Sequence, residues 1–94
     1  NKLLIAYEPV WAIGTKHAVN VADLQGVGRV IKRVVVGLYS EKFFREKVEL
    51  IYGGSVDGAN VTKFLVMEEL SGFLVGAASL NADEFYKIAL AMKD

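Results

Sequence analysis

Three observations predict an α/β fold built on parallel strands. Short apolar runs at Leu3–Tyr7, Val48–Tyr52 and Phe73–Val75 alternate with stretches whose apolar residues recur at helical spacing, giving the order βαβαβα. Each run ends in a polar or small-residue segment: Glu8-Pro9, Gly53-Gly54-Ser55 and Gly76-Ala77-Ala78-Ser79. The first run is continuously apolar, as expected of a strand buried on both faces of a parallel sheet. Such alternation implies right-handed crossovers, and three strands alone leave one sheet face and two edges uncovered.

Taken in order, Leu3 to Tyr7 form the first strand. Pro9 pushes the residue before it out of the helical region, so Glu8 sits extended at the strand's carboxyl end, where open α/β sheets and (β/α) barrels build their sites. Leu24, Val27, Ile31, Val34, Val35 and Leu38 recur at three- and four-residue steps and mark an amphipathic helix from about Val21 to Leu38, with Arg29, Lys32 and Arg33 on the other face. Residues 39–47, anchored by Phe43 and Phe44, form a short helical turn into the second strand, which Gly53, Gly54 and Ser55 stop. Asp57 caps a short helix to about Val66, with Val61, Phe64 and Leu65 inward. Glu68 to Gly72 return the chain to the sheet. After the third strand and the Gly76–Leu80 loop, Asn81 caps the last helix with Glu84 as the partner of a capping box, and Phe85, Ile88, Ala89 and Met92 form its buried stripe.

The 94 residues suit one domain, 1–94, with a single core. Eleven Lys and Arg balance eleven Asp and Glu, so no long-range field favours nucleic acid or an anionic membrane, and any anion site is local. Cysteine is absent, which removes disulfide and thiolate chemistry and fits a reducing compartment, with the cytoplasm as the expected location. No run approaches the roughly 18 apolar residues of a membrane span, and no signal-peptide pattern is present. Neither a metal nor a cofactor is called for. The chain opens on Asn1 and enters a strand within two residues, so it is expected to begin inside a longer protein. A hydrophobic content of 53% is high for this length, so some apolar surface is expected to meet something outside these residues.

The glycine-bearing segments after the second and third strands have the shape of phosphate loops. Small residues let backbone N–H groups approach an anion, and a following helix start adds partial positive charge without Lys or Arg. With Glu8 at the end of the first strand, these loops carry a resemblance. AYEPVWAIGT (Ala6 to Thr15), IYGGSV (Ile51 to Val56) and GFLVGAASL (Gly72 to Leu80) resemble the sixth, seventh and eighth strand-and-loop segments of the triosephosphate isomerase family, in that order and at the family's spacing. The first motif is the most specific; the similarity covers essentially the whole chain. It implies the carboxyl-terminal three units of a (β/α)8 barrel with parallel strands.

The resemblance also implies roles. Glu8 matches the base that shuttles a proton between dihydroxyacetone phosphate and glyceraldehyde 3-phosphate through an enediolate, a mechanism established for the family together with its closing lid. Pro9, Val10 and Trp11 match the first hinge of that lid and Ala12 to Thr15 its tip, with the Gly14 N–H reaching the phosphate. Ser55 and the backbone of Gly76 and Ala77 match the rest of the grip. Lid closure excludes water and protects the enediolate from losing phosphate. A homodimer is implied for the full-length family. His17, the one histidine, lies just beyond the lid tip, whereas the family's electrophilic histidine comes from an earlier strand, so His17 is read as a surface residue; Tyr52 is read as packing or a lid contact.

Two departures from the family pattern stand out. Lys16 takes the place of a common second lid glycine, and Ala77 that of the second glycine in a GG pair; if either position needs φ > 0, strain of about 1–3 kcal/mol follows. The family's Asn, Lys and His on earlier strands have no counterpart, so the 94 residues alone are expected to be inactive, holding the base, lid and phosphate loops without an electrophile. Two other readings compete: a different phosphate-handling barrel enzyme, whose strand end would lack EPVW, and a non-catalytic phosphate-binding or assembly module built from a half-barrel that buries its open sheet against a copy of itself.

Overall fold

The computed structural model describes residues 2–9 and 20–93. Strands β1 (Leu3–Tyr7), β2 (Val48–Gly54) and β3 (Leu70–Val75) form a parallel sheet in the order β1-β2-β3. Helices α1 (Val21–Leu38) and α2 (Glu41–Lys47) join β1 to β2, α3 (Val61–Phe64) joins β2 to β3, and a 3-10 helix over Ala77–Leu80 leads into α4 (Ala82–Met92). The predicted alternation and the predicted span of α1 are both present.

Short polar side chains start the helices. Asn20 Oδ1 accepts the Ala22 N–H at 2.7 Å, Ser40 Oγ that of Phe43 at 2.9 Å, and Asn81 Oδ1 that of Glu84 at 3.1 Å. Arg45 and Lys47 lie in the last turn of α2, where positive charge complements the helix dipole. Lys32 joins α1 to α2, with its Nζ 3.5 Å from Glu41 Oε1 and 5.6 Å from the centroid of the Phe44 ring.

The register sets which side chains share a face. Tyr7, Tyr52 and Phe73 stand in one row, and a bulge at Ser71, whose Oγ accepts the Leu50 N–H at 3.4 Å, shifts β3 so that Ile51 meets Gly72. The aromatic row faces the helices. There Tyr52, fully buried, packs with Leu24 of α1, Val61 and Phe64 of α3, Met67 and Ile88 of α4. The Phe64 ring links Tyr52, at a centroid separation of 5.0 Å, to Phe73 at 6.1 Å, distances at which tilted and edge-on aromatic pairs attract.

Several expectations are corrected. Gly53 and Gly54 do not stop β2; they belong to it, held in the ladder by Leu74 and Val75. β3 begins at Leu70, three residues before the expected Phe73, and α3 ends at Phe64, leaving Leu65 exposed. β1 is not buried on both faces: Leu4 is 64% exposed, because among the described residues β1 has a partner on one edge and no element packs over Leu4 on the sheet face opposite the helices. Within α1, Leu24 and Val35 are buried as expected, whereas Val34 and Leu38 face outward. In α4 only Ile88 of the expected stripe is buried; Phe85, Ala89 and Met92 line, with Ile51 and Gly72, an open apolar groove of about 390 Å³. Among the described residues, no helix is long and apolar enough to cross a membrane.

The contrast within α1 gives a direct check. Leu24→Ala is expected to lower the unfolding free energy by about 2–5 kcal/mol and Val34→Ala by less than about 1 kcal/mol, measured by chemical denaturation. Equal losses would place the core on a different helix face.

Candidate active site at the strand ends

A parallel sheet brings its carboxyl ends to one edge, and here the residues that follow the three strands are neighbours. Tyr7 pairs with Tyr52, so Glu8, one residue on, falls beside Gly53. A Cβ built on Gly53 would lie 2.7 Å from Glu8 Cγ and 3.2 Å from both Cδ and Oε2. The glutamate side chain therefore lies across the bare Gly53 backbone, on the sheet face opposite the aromatic core, and any side chain at 53 displaces it. Glu8 is exposed and Pro9, directly after it, is buried. Gly54, one step further, faces the other way, and the buried Tyr52 ring occupies the space its Cβ would need. The fully buried Tyr52 is a packing residue.

The segment from Ser55 to Asn60 is folded upon itself. Asn60 Nδ2 donates to the Ser55 carbonyl at 2.6 Å, and Asn60 Oδ1 accepts the Asp57 N–H at 2.9 Å. Asp57 Oδ1 accepts the N–H groups of Ala59 and Asn60, each at 2.8 Å, so Asp57 caps the turn ahead of α3. Because Gly54 pairs with Val75, the next residues along those strands are Ser55 and Gly76. Past β3 the chain enters the 3-10 helix directly: the Ser79 N–H donates to the Gly76 carbonyl at 2.9 Å and Ser79 Oγ donates to the Val75 carbonyl at 2.9 Å. The first amides of such a helix have no carbonyl of their own turn to meet, which leaves them suited to an anion.

This placement bears on Ala77. It lies in the 3-10 helix, whose φ is negative, so the side chain brings no left-handed strain. Gly76 has φ −92°, and a Cβ placed there would have no neighbour within 4 Å, so it needs neither positive φ nor close approach. Glu8, Ser55, Gly76 and Ala77 thus share one edge of the sheet. The expected hinge residues Val10 and Trp11, the tip residue Gly14, and Lys16 and His17 lie outside the described residues. Among the described residues no group of three or more His, Asp or Glu side chains is placed to hold a metal ion. Residue-by-residue reading missed Gly53 as the floor beneath Glu8, although a glycine pair inside a strand pattern signals close approach.

The family model of triosephosphate isomerase matches residues 1–92. The chain belongs to the triosephosphate isomerase family. Relatives bearing that name include proteins of Dictyoglomus turgidum, 45% identical over 87 residues, and of Pelodictyon phaeoclathratiforme, 45% identical over 89 residues. That of Streptomyces avermitilis is 46% identical over 87 residues. These matches cover 93%, 95% and 93% of this chain but 34%, 35% and 33% of the relatives, so the chain spans about a third of the length of the triosephosphate isomerases it matches. Three parallel strands with alternating helices are consistent with part of a (β/α) barrel of that family.

Two substitutions check the geometry. Gly53→Ala is expected to change the stability by less than about 1 kcal/mol, since the exposed Glu8 can swing away, while shifting the Glu8 carboxyl ¹³C resonance. An unmoved resonance would separate Glu8 from Gly53. Ala77→Gly is expected to destabilise the chain by about 0.5–1 kcal/mol, because a helical position gains only backbone freedom from glycine; stabilisation would reveal strain at Ala77.

Proposed function

We propose that these residues supply the proton-transferring base and the phosphate anchor of a triose-phosphate isomerase of glycolysis and gluconeogenesis. Glu8 takes the proton from the carbon beside the carbonyl of dihydroxyacetone phosphate and returns it to the neighbouring carbon, giving glyceraldehyde 3-phosphate through an enediolate. The backbone of Gly14, Gly76 and Ala77, with Ser55, holds the phosphate, and Pro9, Val10 and Trp11 form the hinge of a lid that keeps water out. No cofactor takes part, because a carboxylate alone moves the proton. The whole protein works as a cytoplasmic homodimer.

The observation that carries this reading is the meeting of Glu8 with Gly53 at the edge where Ser55 and Gly76 follow paired strand residues. A base and a small-residue anion grip at adjacent strand ends match the two demands of the reaction, proton abstraction beside a carbonyl and retention of a phosphate. The charge that develops on the substrate oxygen needs a donor as well, and electrostatic stabilisation of that kind is often the largest part of catalysis. Nothing at this edge among the described residues is assigned that task, so the 94 residues by themselves do not turn over.

A second reading, a half-barrel assembly module, is favoured by the apolar side chains exposed on the sheet face opposite the helices, where Leu4 is 64% and Leu74 45% exposed. Sedimentation separates the two: self-association that persists at micromolar concentration supports the module. For the first reading, titration of the 94-residue chain with glycerol 3-phosphate is expected to shift the amide resonances of Ser55, Gly76 and Ala77, with no isomerisation of glyceraldehyde 3-phosphate in a coupled assay. Shifts confined to other residues would contradict the phosphate grip. Turnover that Glu8→Gln abolishes would contradict the inactivity of the chain alone.

A further inference from the structure

Glu84 begins in the sequence as the second half of a capping box, yet its carboxylate does not turn back to its own helix start. The Asn81 N–H donates to the Ala78 carbonyl at 3.2 Å, and Glu84 Oε1 accepts the N–H of Gly58 at 3.1 Å, from the loop after β2. Its other oxygen, Oε2, lies 3.3 Å from Lys87 Nζ, which balances the charge. Gly58 provides a second, steric indication: a Cβ there would come within 2.7 Å of Lys87 Cδ and 2.9 Å of Lys87 Cβ, so the missing side chain is what lets α4 approach the loop so closely.

The loop is stiff enough to transmit such a contact. Asn60 ties Ser55 to Asp57, and Asp57 ties itself to Ala59 and Asn60, so these four residues form one hydrogen-bonded unit that encloses Gly58. α4 in turn continues from the 3-10 helix that begins at Ala77. A contact between Glu84 and Gly58 therefore sets the separation of the two loops assigned above to the phosphate. We propose that Glu84 is a positioning residue of the anion site, clamping the Ser55–Asn60 loop to the Gly76–Leu80 segment through the Gly58 amide. The proposal rests on the phosphate-binding reading of these loops. A charge-assisted hydrogen bond from a carboxylate to a backbone amide is among the stronger kinds, and a neutral amide oxygen in its place keeps the geometry.

The test compares Glu84→Ala and Glu84→Gln with the unchanged chain. Amide exchange and inorganic phosphate titration are both followed by ¹H–¹⁵N NMR. Glu84→Ala is expected to speed exchange at Gly58 about tenfold, to shift amide resonances in both 55–60 and 76–80, and to weaken phosphate binding about tenfold. Glu84→Gln is expected to restore all three to within about twofold, which a role limited to charge or to helix stability would not do. If phosphate shifts neither loop of the unchanged chain, the anion-site reading fails, and so does the positioning role that rests on it. If phosphate binds and Glu84→Ala perturbs residues of α4 alone, with Gly58 exchange and phosphate affinity unchanged, the clamp is overturned while the anion site stands. Should Glu84→Ala prove unfolded, Gly58→Ala supplies the same comparison by pushing Lys87 and α4 off the loop. It is expected to weaken phosphate binding to a similar degree, and unchanged affinity would overturn the proposal.

Discussion

The parallel pairing of β2 with both of its neighbours, in a register that sets Tyr7, Tyr52 and Phe73 side by side, is the constraint on which the rest of this chain depends. Side chains alternate across a sheet, so fixing that row on the helix-covered face fixes everything else. Phe64 of α3 holds the row from the helix side, its ring against those of Phe73 and of Tyr52, which has no exposed surface, and the helices that supply the cover are the crossovers that parallel strands require. Once the aromatic row faces the helices, the next residue of each strand faces away from them. Glu8, directly after β1, and Gly53 of β2 are those residues, and they meet.

This division of faces explains how a small chain carries both a core and a candidate reaction site. Apolar side chains concentrate on one side, where α1, α3 and α4 close over them. The other side stays open along Leu4 and Leu74 and places a carboxylate at its rim, over a glycine that offers it no obstruction. The loops beyond Gly54 and Val75 leave the same edge with small residues and turn at once into hydrogen-bonded structure, the first around Asn60 and Asp57, the second as a 3-10 helix. Backbone amides are thereby presented on short, ordered segments rather than on long flexible loops, an arrangement that favours preorganised binding.

Much of the fold was legible because helical periodicity is a strong signal over a long segment: α1 runs from Val21 to Leu38 as its apolar spacing indicates. The cap at its start, the Asn20 side chain accepting the Ala22 N–H, is supplied by the structure and not by the apolar spacing. Other features depend on contacts that no local pattern encodes. A glycine pair reads as a turn, yet Gly53 and Gly54 continue the ladder with β3, opposite Leu74 and Val75, where glycine serves the side chains of Glu8 and Tyr52. The Asn81–Glu84 spacing fits a capping box, but a carboxylate takes the better donor that the fold brings to it, and Gly58 is such a donor. The expected burial of β1, and of the α4 stripe through Phe85 and Met92, presumes cover on surfaces that the described residues leave open. As for the candidate site, the EPVW and GGS segments pointed to the residues, while the side of the sheet on which Glu8 lies follows from register alone.

That register is the central claim, and a one-residue slip would reverse it by turning Glu8 toward the helices. The most direct measurement is the set of nuclear Overhauser contacts from the Glu8 side chain. The pairing of Tyr7 with Tyr52 predicts strong contacts from Glu8 Hγ to the Gly53 Hα protons, together with contacts from the Phe64 ring to those of Tyr52 and Phe73. Contacts from Glu8 Hγ to Phe64 or to the α1 residue Leu24, with none to Gly53, would contradict it.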